Sequence, residues 1–200
     1  MMLPTHAVVG LAVTAPFLVV APDAATAAMA GALLGSVFPD LDLYSGHRRS
    51  LHFPTGYTLF AVPAIAVAFL VQTSLTTALA AFAVGAALHC RMDRYGGGLE
   101  LRPWEGNSER AVYDHVRGTW RQPKRWIRYD GAPEDTALLG VLGVPLAATL
   151  APPFRWVVVA ALVVGITYGL LRRRLASLAP VVFGTVPDVL AGYVPERYRQ

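Results

Sequence analysis

Apolar residues gather into six runs along the chain, at 7–21, 24–38, 54–71, 75–89, 137–150 and 156–171. They fall into three pairs. The links within pairs are short, Pro22-Asp23, 72–74 and 151–155, whereas the links between pairs are longer and carry the charge. Some runs fall short of the ~20 residues that span a bilayer comfortably, so their ends must borrow from the flanks. Small residues are dense within them, as in Ala30-Gly31-Ala32 and Gly85-Ala86-Ala87. This permits the close helix contacts that drive association within lipid. The pattern predicts an all-α, polytopic membrane bundle of about six transmembrane helices in three hairpins. A polar segment lies between the fourth and fifth. Three regions follow: 1–93 as a four-helix membrane unit, 94–136 as a cap, and 137–200 as a C-terminal hairpin and tail.

Composition agrees with this pattern. Hydrophobic residues make up 54% of the chain and charged ones 15%, below the quarter or so typical of soluble domains. No Asp, Glu or Lys occurs between Leu51 and Met92, and from Ala137 to Leu171 the only charged residue is Arg155. A soluble core of this size has no room for such stretches. The run at 7–21 lacks the basic n-region of a secretory signal and is expected to stay as a helix. After Arg172-Arg173-Arg174, the tail at 175–193 is apolar but interrupted by Pro180 and Pro187, which suggests a further, irregular segment.

Charge then orients the bundle. All of the 17 lysines and arginines except Arg155 fall on one side of the six-span arrangement. The positive-inside rule places that side, with both termini and both long connectors, in the cytoplasm of a multi-pass cell-membrane protein. The formal net charge of +4 is explained by orientation, and no nucleic-acid partner is expected. The segment 91–136 carries Trp104, Trp120 and Trp126 among its charges and is expected to fold as a cap with aromatics at headgroup level.

Candidate chemistry collects at that same level. His6 precedes the first helix, and Pro39-Asp40-Leu41-Asp42 ends the second. His47-Arg48-Arg49-Ser50-Leu51-His52 leads into the third, and His89 and Asp93 close the fourth. Four residues apart on a helix, His89 and Asp93 share one face, one turn apart. Loss of helix after Pro39 would free Asp40 and Asp42 to turn toward a common centre. Cys90 is the only cysteine, so a metal must be held by histidine and carboxylate, a set that suits zinc and also iron or manganese. Ionisable groups at membrane depth are costly and default to a functional reading. Each motif also has a plain alternative: a helix stop at Pro-Asp, a headgroup anchor at His-Arg-Arg, a surface position for His115 and a packing role for Cys90.

The succession Thr5-His6 with Gly10, Gly31 through Gly35 to Pro39-Asp40-Leu41-Asp42, His47-Arg48 with His52, and His89 with Asp93 resembles the YdjM-like family of LexA-regulated, membrane-bound metal-dependent hydrolases. The likeness covers about the first half of the chain. It implies a metal site built from His6, Asp40, His52, His89 and Asp93, with His47 a further candidate ligand and Asp42 and Arg48 close by. A fainter likeness to zinc-dependent phospholipase C enzymes suggests phosphoester hydrolysis. One departure is Cys90-Arg91-Met92, where family members often have an apolar run. The expected mechanism is metal-activated water attacking an ester or phosphoester. Asp42 or Asp40 would handle the proton, and Arg48 and Arg49 would pair with anionic oxygens of a membrane-borne substrate such as a lipid headgroup. The competing expectations are a non-enzymatic metal-binding or ion-handling protein, and a scaffold whose histidines act as interfacial anchors.

Overall fold

Proline opens most of the helices, at positions where its missing N–H costs no hydrogen bond. The computed structural model describes residues 1–195 and 198. Pro4, Pro22, Pro54 and Pro133 stand in the first turns of α1 (Leu3–Thr14), α3 (Pro22–Val37), α4 (Pro54–Val71) and α6 (Pro133–Thr149). The short α2 (Phe17–Val20) follows α1 after a break at Ala15-Pro16. α5 (Ser74–Tyr95) opens on a reciprocal cap between Thr73 and Thr76. α7 covers Phe154–Phe183 and α8 Asp188–Ala191.

Five stretches, Leu3–Val20, Pro22–Leu43, Pro54–Val71, Ser74–Tyr95 and Phe154–Phe183, are long and apolar enough to cross a membrane. α6 has 17 residues and packs against α7 and α1. α4 buries only Ala61 and leaves Phe60, Val62, Phe69 and Leu70 exposed, as expected of a helix facing lipid. The fold is therefore the expected all-α bundle, with one small two-stranded sheet in the cap.

α5 lies between α3 and α4, and α1 joins α3 to the α6–α7 pair. Met2, Val8, Leu11, Met29, Leu139 and Val158 form a buried core around α1. The α3–α5 seam is different, being made of small residues. A Cβ on Gly31 or Gly35 would run into the carbonyl oxygens of Ala78 or Phe82, so the two backbones touch, as small-xxx-small contacts allow. This seam fixes the height of α5 against α3, and with it the site.

Three boundaries differ from expectation, the first being α1, which begins at Leu3 so that His6 lies within the helix and not ahead of it. α7 does not stop at the arginine triplet but continues through Arg172, Arg173, Arg174 and Pro180 to Phe183. Charge marks where a helix leaves the hydrocarbon, not where its hydrogen bonding ends, and arginine is a good helix former. Pro22-Asp23, expected as a link, is the first turn of α3.

The cap lies over the end of the bundle where α1 and α4 begin and α3 and α5 finish. Its hairpin pairs β1 (Val112–Asp114) with β2 (Thr119–Arg121) antiparallel, Tyr113 opposite Trp120. Backbone N–H groups of Lys124 and Ile127 donate to the carbonyls of Arg94 and Tyr95, extending the end of α5 into the cap.

Candidate metal centre

Four side chains from three places in the chain converge beneath the cap. Asp40 comes from a 3-10 turn, Phe38–Tyr44, that follows α3. His52 lies just before α4, and His89 and Asp93 lie one turn apart on α5. One ligand atom from each, Asp40 Oδ1, His52 Nε2, His89 Nε2 and Asp93 Oδ2, lies within 4.8 Å of all the others. The histidines are 1% exposed or less, as is Asp93.

The protonation pattern of this group is set by what stands behind it. His89 Nδ1 donates to the carbonyl oxygen of Ser36 at 2.7 Å, which leaves Nε2 of the neutral ring as a lone pair. His52 Nδ1 donates to Asp42 Oδ2 at 2.9 Å, which leaves its Nε2 likewise. With both rings neutral, two imidazole lone pairs face one another at 3.2 Å, with Asp93 Oδ2 3.3 Å from each. Asp40 Oδ1 is 3.4 Å from His89 Nε2 and 3.7 Å from His52 Nε2. Four ligand atoms this close could share a cation. Bonds of about 2.0–2.1 Å in a tetrahedron give edges of about 3.4 Å, and the five separations above bracket that length. The residues present therefore fit a small divalent ion, with the carboxylate–histidine pairing that orients metal ligands.

The remaining candidates surround this set. His6 Nε2 donates to Asp93 Oδ1 at 3.1 Å, and its ring stacks on His89 with centroids 3.8 Å apart. The Met1 ammonium donates to the same Oδ1 at 2.8 Å. His47 Nδ1 donates to Asp42 Oδ1 at 3.1 Å and lies 3.9 Å from Asp40 Oδ1. Burial pushes the His47 pKa down, only partly opposed by that bond to Asp42. Asp42 itself is fully buried. It accepts from His47, His52 and the backbone N–H groups of Arg48 and Leu51, so it organises the 47–52 loop.

Arg48 reaches in from that loop with its Nε 3.4 Å from Asp93 Oδ2. Its backbone has φ +60°, a left-handed conformation that a non-glycine residue adopts at a cost. The conformation is held at both ends. Arg48 N–H donates to Asp42, its carbonyl accepts from Tyr113 N–H at 3.0 Å, and its Nη1 donates to the carbonyls of Gly97 and Ala111.

Asp114 anchors the hairpin that does this holding. It accepts from Thr55, Val116 N–H, Arg117 N–H and Arg121. Burial raises its pKa, but the bonds from Arg121, Thr55 and Arg117 outweigh that and hold the carboxyl below its usual range. Sequence reasoning did not find Asp114, Ser36 or Gly97, since their roles depend on long-range backbone contacts. Cys90 is buried and free, His115 is exposed and donates to the Arg49 carbonyl, and Arg91 is exposed.

A cavity of about 660 Å3 opens beside the cluster, with Asp40, His47, Arg48 and Asp93 in its wall. No family model, curated protein or solved structure matches the chain.

Proposed function

We propose that the protein is a metal-dependent hydrolase of the YdjM-like type, embedded in the cell membrane with its site at the cytoplasmic face and acting on a phosphoester. The observation that carries this reading is the meeting of two imidazole lone pairs and two carboxylate oxygens at the edges of a metal-sized tetrahedron. Orientation rests on the concentration of arginine on the cap side.

In this reading Asp40, His52, His89 and Asp93 hold the ion. Two nitrogens and two oxygens in that geometry favour zinc, with iron or manganese as substitutes. A bound divalent ion supplies Lewis acidity, polarising an ester oxygen and making water ionise near neutral pH. The protein's own groups do the rest. His6 holds Asp93 and packs His89 in place. Asp42 fixes the tautomer of His52. Arg48, on the cavity wall, pairs with an anionic phosphoryl oxygen, for which a guanidinium is well shaped. Asp40 has a 19% exposed side chain and lines the cavity, so in this reading its second oxygen takes a proton from the attacking water. The water oxygen bonds to phosphorus, the P–O ester bond breaks, and the proton passes to the departing alkoxide.

The test is metal content in detergent-purified protein, wild type beside the double variant His89→Ala with Asp93→Ala. Wild type is expected to hold zinc, iron or manganese stoichiometrically and the variant to lose it with helix content retained. Metal-free, fully helical wild type would overturn the reading.

A further inference from the structure

The cavity beside the cluster is polar at one end only. Asp40, His47, Arg48, Asp93 and Asp130, with Met1, lie at the cap end. Away from the cap its walls are apolar, with Leu33 and Val37 from α3 on one side and Val157, Ala160 and Val164 from α7 on the other. The floor is α1, through Leu3, Pro4 and Ala7, and α1 packs against both walls. Val157, Ala160, Ala161, Val164 and Tyr168 recur at three- and four-residue intervals, so they form one face of α7 running about 16 Å along its axis. Ala160 and Val164 are also exposed, so the groove opens sideways, toward what would be hydrocarbon around a membrane-spanning helix. A water-soluble phosphoester has no use for such an extension, whereas an amphiphile fits both halves. Three carboxylates line that end, so it suits an anionic group once a divalent cation at the cluster joins Arg48 there.

We propose that this groove seats the acyl chain of an anionic phospholipid, which enters laterally between α3 and α7 and brings its phosphate to the cluster. That the seated lipid is also the substrate rests on the hydrolase reading. Occupancy of the groove does not.

The experiment uses zinc-supplemented protein in phosphatidylcholine nanodiscs doped with photoactivatable phosphatidic acid or, separately, phosphatidylcholine bearing the same diazirine chain. Labelled residues are mapped by mass spectrometry. Labelling of Leu33, Val157 and Ala160 is expected to favour phosphatidic acid by about fivefold, the preference one well-placed cation gives an anionic headgroup. Ala160→Trp, which fills the groove, is expected to abolish this preference. Val163→Trp, on an exposed position of α7 outside the groove, keeps it. Equal labelling by both lipids in wild type, or a preference that survives Ala160→Trp, would overturn the proposal, and the wild-type comparison holds even if the variant misfolds. Release of inorganic phosphate from the phosphatidic acid is read on the same preparation. Selective labelling without hydrolysis upholds the groove and removes the hydrolase; hydrolysis without selective labelling does the reverse.

Discussion

Two carboxylates two residues apart have parted ways. The sequence invites Asp40 and Asp42 to be read as equals, both released by the helix break at Pro39. The break is there, but a 3-10 turn has about three residues per turn, so positions i and i+2 point to different sides. Asp40 enters the ligand group and Asp42 lies behind His52. Residue type and spacing were enough to nominate both; which one joins the candidate ligand group is decided by backbone geometry that no short motif encodes. The same holds for Arg48, whose left-handed backbone has no signature in His47-Arg48-Arg49. The division of labour has a measurable consequence. Asp42→Asn leaves all four ligands in place but substitutes an amide for the anion behind His52. Metal affinity, by competition titration, is expected to fall about 10- to 100-fold, the usual effect of losing such a partner. An unchanged affinity would show that Asp42 serves only the loop.

Among elements, the apolar runs predicted α1, α3, α4, α5, α6 and α7 because lipid imposes one requirement on every spanning segment. The ends were less legible, as with α7, where three arginines interrupt the hydropathy but not the helix. The hairpin Val112–Arg121 was also missed, since strands of three residues are too short for alternation to register. The element contact that matters most for the site is the glycine seam between α3 and α5. It brings the Ser36 carbonyl onto His89 and hence sets which nitrogen faces the cluster. Gly35→Val would force α3 off the Phe82 carbonyl. A loss of about 1–3 kcal/mol is expected, as for overpacking, together with weakened metal binding. Gly140→Val, with open space around its Cβ position, is the neutral control. Thermal unfolding with and without metal separates the two effects.

For the molecule as a whole, the four candidate ligands all come from the first half of the chain, and that half is tied to the second. α1 is packed on α6 and α7, Met2 N–H donates to Asp135, and Arg48 is gripped by Gly97 and Ala111. The regions 1–93, 94–136 and 137–200 that the sequence sets apart are thus joined by backbone and side-chain contacts. Its orientation is open to a direct check, because the native Cys90 is buried and single new cysteines report cleanly. Asn107→Cys in the cap is expected to react with a membrane-impermeant maleimide only after cells are opened, and Gln72→Cys at the far end of α4 in intact cells. The reverse pattern would invert the topology.

The grip of the cap on Arg48 also sets an order of events during synthesis. Helices α1 to α5 emerge from the ribosome ahead of Gly97, Ala111 and Tyr113, and chains fold from the N-terminus as they emerge. For that interval the cluster of carboxylates and imidazoles has no roof, and its guanidinium is untethered. Until residues 97–113 have emerged, therefore, the 47–52 loop lacks the partners that hold Arg48, and the wall it contributes to the cavity takes its final form only when the cap folds.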